Sequence, residues 1–354
     1  MEEKFSMFKL KYDDFLIKNE DGTYSMPPEQ IVRDETEKNR WKNTGFTILK
    51  DWRLYLMLVP MILVYLLWKY MPMTDLVGAF KDYNTPGASQ VADYRWFGLN
   101  NFANLFFGTD AAEFWPAFRN TFTIAFYNLL FGFPTPIILA LFFNEIRSNV
   151  VRSIMQVCVY LPKFLSTVVV TTIALLLFRK GSTTSEPGIL SQFLSKLAPN
   201  NDVFQEALKG GLFYSARYFR SLFVITELWE HAGYDSIVFF AAVIAVSPTS
   251  YEAAQIDGAG KMAQMRYVVI PSILSTVVIM LIMKIGGLLS VGYEKVYLLY
   301  DNGNKATSDI VATLANRWGD GRGIAADMAN NLIGMILVLG ANTVARKAAN
   351  VSLY

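Results

Sequence analysis

The sequence predicts an all-α, polytopic membrane protein with about six transmembrane helices, and three observations carry that prediction. Hydrophobic residues make up 53% of the 354 residues and charged ones 18%, whereas soluble chains spend about a quarter on charge. Mean hydropathy is +0.29, high for a soluble protein. The apolar residues are also gathered into runs of roughly 20, the length a helix needs to cross a hydrocarbon core about 30 Å thick.

The runs lie near Leu54 to Met73, Phe118 to Phe143, Val150 to Phe178, Leu222 to Val246, Val268 to Val291 and Met328 to Val344. The first follows a charged leader, so it reads as a span and not as a cleavable signal. Phe133-Pro134-Thr135-Pro136 in the second removes two backbone donors and should kink or break that helix unless neighbours satisfy the freed carbonyls. The fourth contains Glu227, Glu230, His231 and Asp235. Charges at bilayer depth face a bundle interior or a wet cavity, so either this helix starts near Tyr234 or its first turns face a cavity.

Orientation follows from the cations around the first run. Lys38, Arg40, Lys42, Lys50 and Arg53 precede it, and the segment after it offers only Lys81 and Arg95 up to Ala117. Both termini are therefore expected in the cytoplasm, with outer segments near Thr74 to Ala117, Arg179 to Ser221 and Gly292 to Asp327. The last of these weakens the argument because it carries Lys295, Lys305, Arg317 and Arg322. Residues 1–50 read as a cytoplasmic N-terminal extension containing Pro27-Pro28, with a membrane-surface helix over Phe5 to Leu16 as an alternative; residues 51–354 form the transmembrane domain.

Several function classes drop out on composition. A net charge of +2 and no basic stripe argue against a nucleic-acid partner. Cys158 and His231 are the sole residues of their types, too few for a disulfide or a zinc cage. No phosphate-cradling loop is present: at Gly260-Lys261, Gln255 stands where the first glycine belongs and Met262 follows the lysine. ATP chemistry and a catalytic dyad are thus not expected in this chain.

The link between the fourth and fifth runs, residues 248–271, is the informative segment. Pro248 suits a helix start, Glu252-Ala253-Ala254 favours a short helix, and Gly258 permits a tight turn before a second helix. The pattern Glu252-Ala253-Ala254, three residues, Gly258, then Val268, Ile270 and Pro271 resembles the coupling motif of the membrane subunits of binding-protein-dependent ABC importers. Pro60 to Asn84, Tyr160-Leu161-Pro162, Tyr251 to Ala259, Gly292 to Tyr300 and Val351 to Tyr354 look like the LplB-like polysaccharide and oligosaccharide permeases of Gram-positive bacteria. The resemblance covers about 300 residues from Asp51 onward. It departs from the pattern at Lys163, where the family usually has histidine, and in its longer leader.

That resemblance implies a MetI-like fold and a non-enzymatic permease subunit in the cell membrane that translocates an oligosaccharide or polysaccharide fragment by alternating access. Its implied partners are a second homologous permease, two ATPase subunits that bind the ATP and magnesium, and an extracellular lipid-anchored solute-binding protein. Glu252, Ala253 and Ala254 would seat in the ATPase groove, Asp257, Gly258 and Ala259 would shape the turn, and Pro271 would mark the return to the membrane. Trp229, Glu230 and Tyr234 are candidate pathway residues because they stand where polar groups interrupt an apolar run, with ordinary packing as the competing reading. Lys163 and Lys284, near span ends, read as snorkelling cations. The alternatives are a proton-coupled secondary transporter using Glu227 and Glu230, an ABC permease for a non-sugar solute, and a membrane-embedded enzyme.

Overall fold

The computed structural model describes residues 17–18, 24–25, 52–87, 93–180, 186–197 and 199–349. Two compact units divide the chain, Met1–Thr74 and Asp75–Tyr354. Within the first, β1 (Ile17–Lys18) pairs antiparallel with β2 (Tyr24–Ser25). The surface-helix alternative at Phe5 to Leu16 lies outside the described residues, as does the closing Val351 to Tyr354. Helix α1 (Trp52–Phe80) begins in the first unit and has no buried side chain through Tyr70. A helix apolar on every face is stable only in lipid or against another subunit.

In the second unit, β3 (Lys81–Asp82) pairs with β4 (Arg95–Trp96), and α2 (Asn100–Phe107) follows. The remaining long helices are α3 (Ala111–Glu145), α4 (Asn149–Phe164), α5 (Thr167–Leu177), α8 (Phe219–Ile244), α9 (Pro248–Ile256), α10 (Lys261–Gly286) and α14 (Gly321–Ala349). Shorter ones between them are α6 (Ile189–Leu197), α7 (Asp202–Gly210), α11 (Tyr293–Leu299), α12 (Lys305–Ser308) and α13 (Val311–Trp318). By length and composition four helices, α1, α3, α10 and α14, suffice to cross a bilayer, and the bent pairs α4–α5 and α8–α9 raise the number to as many as six.

Two expectations need correction, and one holds: the paired prolines mark an interruption at Phe133, between Ala111–Gly132 and Pro134–Glu145, although both halves belong to one span of 35 residues in which the Phe133 N–H still donates to the Leu129 carbonyl. The third run is not one straight span: α4 and α5 meet at 103°. Pro162 tightens the chain into a 3-10 turn, and extended Ser166 then caps α5 by accepting from the Val169 N–H, so the helix restarts in a new direction. Nor does the fourth helix wait for Tyr234; it starts at Phe219, and its acids turn to a cavity.

Helix α8 is the hub. It packs along the second half of α3 and against α10 and α4. Gly233 permits the approach to α4, since a Cβ there would run into the Val159 carbonyl. One apolar core joins Ile124, Phe213, Phe219, Phe223, Val296 and Ile310; a smaller one at the other end of α8 joins Val243, Val246, Val269 and Ile273.

Polar side chains pin the segment after α11. Asn304, fully buried, donates to the carbonyls of Phe213 and Leu299 and accepts from the Asp301 N–H and the Ser308 hydroxyl. Arg317 grips Asp309 through two bonds of 3.1 and 2.9 Å, which hold its guanidinium pKa above the ordinary value. Replacing Gly233 with valine should wedge α8 from α4 and destabilise the fold by about 1–3 kcal/mol, the usual scale of overpacking. Thermal unfolding of the purified protein in micelles would show it as a lower midpoint, and an unchanged midpoint would contradict the close approach.

Candidate functional site

The residues singled out from sequence fall in or near two regions: the turn after α9 and a cavity beside α8. Helix α9 starts with Pro248 in its first turn, where a missing N–H costs nothing. Its end is closed by two bonds, Gly258 N–H to the Gln255 carbonyl and Ala259 N–H to the Ala254 carbonyl. This is a Schellman cap with Gly258 at φ +78, the left-handed conformation that a Cβ disfavours. The small residues have distinct tasks: Ala254 supplies the carbonyl that closes the cap, Ala259 supplies the donor, and both are half-buried. Glu252, Ala253, Asp257 and Gly258 are exposed.

Buried Gln264 donates to the Ala259 carbonyl at 2.8 Å, folding the start of α10 back on the turn. Lys261 reaches Glu145 at the end of α3, 3.1 Å away, and Tyr251 packs on the lower apolar core. Burial pushes the Tyr251 phenol pKa up, opposed by a hydrogen bond from Asn144. Pro271 follows a π turn over Met265–Val269, which widens the helix just before a ring that has no N–H to give. On the outside of this knob Ile256 is 87% exposed and Met262 75%.

The cavity, about 520 Å³, is walled by α3, the α4–α5 bend, α8, α10 and the segment leading into α11. Its lining is rich in charge. Lys295, 1% exposed, lies between Glu227 Oε1 at 2.8 Å and Glu230 Oε2 at 2.9 Å, with the Phe223 ring centroid 5.6 Å away. His231 Nδ1 stands 3.8 and 3.9 Å from the same two carboxylates. Glu227, Glu230 and His231 offer ligand atoms within 4.8 Å of one another, but the Lys295 ammonium already holds the place between the carboxylates that a metal ion would need. Lys284 of α10 pairs with Asp235 of α8 at 3.5 Å.

Residues 132–291 match the family described as the binding-protein-dependent transport system inner membrane component. Protein LplB of Bacillus subtilis (strain 168) is 34% identical over 303 residues, covering 84% of this chain and 90% of its own. The chain belongs to that permease family. The polygalacturonan/rhamnogalacturonan transport system permease protein YteP of the same strain is 32% identical, covering 90% of this chain and 95% of its own. A crystal structure of a bacterial alginate ABC transporter, in complex with an alginate pentasaccharide-bound periplasmic protein, superposes with a TM-score of 0.74 at 32% identity; the match covers 89% of this chain and 100% of that one.

In this permease the residues singled out from sequence separate. Glu252 through Ala259 form one capped knob, and Pro271 lies beyond it in the first turns of α10 after the π turn. Of the three pathway candidates, Glu230 lines the cavity. Trp229 and Tyr234 are outside its lining; both are exposed, and Tyr234 meets Phe164 edge to face at 6.0 Å. Lys284 is no snorkelling cation: it is tied to Asp235 and faces the cavity, as does Lys163. Sequence reasoning missed Lys295, whose signal was an isolated lysine in Gly292 to Tyr300 with two unmatched acids elsewhere in apolar sequence.

Replacing Lys295 with methionine strands two close carboxylates in a largely buried site and should destabilise the protein by about 3–5 kcal/mol. Adding Glu230→Gln should recover part of that loss. Thermal unfolding of the single and double variants checks it, and a single variant as stable as wild type would refute the buried triad.

Proposed function

We propose that this permease is one half of an ATP-driven pathway that imports an oligosaccharide or polysaccharide fragment, with both termini in the cytoplasm. A second homologous permease completes the pathway. Two ATPase subunits bind ATP and magnesium and grip the α9 knob, and a lipid-anchored solute-binding protein delivers the cargo from outside. The observation that carries the reading is the capped knob: an exposed helix of small residues, presenting Glu252 and Ile256, locked in shape by Gly258. The saccharide cargo is supported by the permeases named above and by an arabinooligosaccharides transport permease of Bacillus subtilis (strain 168), 28% identical over 272 residues.

A push on the knob has a short route to the cavity. Helix α9 joins α8 through a 67° bend near Ser247, and the turn at Gly258 leads into α10. Val243, Val246, Val269 and Ile273 lock the bases of α8 and α10 together. Those two helices carry Glu227, Glu230 and Asp235 on one side and Lys284 on the other, so a knob displaced by ATPase closure shifts both cavity walls. Charged and amide groups that donate and accept hydrogen bonds suit a polyhydroxylated cargo. The proton-relay alternative is weakened because Glu227 and Glu230 are both engaged by Lys295.

Detergent pull-down of the tagged protein from its native membrane should recover a second permease and an ATPase, with the ATPase lost from Glu252→Lys. Recovery of the protein alone, still moving solute with a proton gradient, would favour the secondary transporter. In the same membranes Gly258→Val should insert normally yet abolish ATP-dependent uptake. Its Cβ meets no atom within 4 Å, so the defect arises from backbone strain of about 1–2 kcal/mol and not from a clash. Wild-type uptake by that variant would sink the coupling assignment.

A further inference from the structure

The cavity contains three lysines in different circumstances. Lys295 is held by Glu227 and Glu230, and Lys284 by Asp235. Lys163 lines the same cavity, half-buried, with no carboxylate in ion-pair range among the described residues. Its position is set by the fold: it stands on the 3-10 turn Leu161–Phe164, where buried Pro162 fixes the chain and the helix bends by 103°. The first residue of α5, Thr167, lines the same wall, so the partial positive charge of that helix end adds to the ammonium.

The other walls carry Glu227, Glu230, His231 and Asp235 from α8, Lys284 from α10, and Glu294 with Lys295 from α11. Glu227 and Glu230 share one lysine and Asp235 has another, while Glu294 is exposed without a lysine or arginine partner among the described residues. The cavity is therefore polarised, with spare positive charge at Lys163 and spare negative charge toward α8 and α11. A half-buried lysine with no carboxylate partner among the described residues gains from an anionic group brought by the cargo. The carboxylates opposite suit sugar hydroxyls, which can donate to them.

From this we infer that Lys163 is a specificity-determining residue that pairs with the carboxylate of a uronic-acid unit, so that the cargo is an acidic oligosaccharide. The inference rests on the saccharide-importer reading. A neutral sugar would leave Lys163 with water alone, whereas a uronate gives it the carboxylate partner that the described lining does not supply. No covalent step is involved; the lysine donates hydrogen bonds to the carboxylate.

The test uses the assembled importer with its own solute-binding protein in proteoliposomes. The probes are short oligomers of galacturonate and of mannuronate, each beside its neutral carboxyl-reduced counterpart. Wild type should take up at least one acidic oligomer in exchange for ATP hydrolysis. Lys163→Gln should slow that uptake by about tenfold or more, the scale of one lost charge-assisted hydrogen bond, without a matching loss for any neutral oligomer carried. Lys163→Arg, which keeps the charge, should restore it. Recovery of the ATPase in a pull-down reports whether each variant assembles, and Lys163→Met repeats the measurement if the glutamine variant does not.

Three results would overturn the inference: wild type carrying only neutral oligomers, Lys163→Gln carrying the acidic oligomer at the wild-type rate, or arginine failing as glutamine does. Failure of the importer reading itself looks different, since no saccharide of either kind would then move with ATP hydrolysis.

Discussion

An ammonium group taken out of water must meet opposite charge, and the geometry around the cavity follows from how Lys295 meets that demand. The two carboxylates that hold it come from one helix, three positions apart, on a single face of α8. That face must turn to α11, and α11 must lie against α8, or three charges would be stranded. The demand thereby joins the chain segment after α10 to the hub helix across 65 and 68 residues of sequence. The apolar core around Phe223, Val296 and Leu299 closes over the joint, which strengthens the pairing by excluding water.

The same hub connects the cavity to the capped knob at α9. Helix α8 carries the charges in its middle and the lower apolar core at its end, and α9 continues from it after one bend. Small residues make the connection rigid: Gly233 lets α8 lie against α4, and Gly258 closes α9 with a cap that needs no side chain. Helices packed this closely move as bodies.

How much of this was legible in the sequence varied with the range of the interaction. The α9 knob was readable because its cap is local: carbonyls at Ala254 and Gln255 and donors at Gly258 and Ala259 lie within six residues. The apolar runs located the spans for the same reason. Their interruptions were read less well. Two prolines in Phe133 to Pro136 interrupt α3 at Phe133 yet leave it a single span, while the single Pro162 with Ser166 broke the third run at a steep angle. Proline weakens a helix locally, but what its neighbours can donate or cap decides whether the helix bends.

Sequence alone determined the class of protein, the order of its spans and the shape of the turn after α9, because hydropathy, helix length and capping act between near neighbours. Tertiary structure decided which charges meet. Nothing in the spacing of Lys284 and Asp235, or of Lys295 and the two glutamates, announces a pair, and nothing in Trp229 or Tyr234 places them outside the cavity. Partners so distant along the chain are chosen by helix packing, whose angles depend on side-chain volumes over the whole contact and not on any short motif.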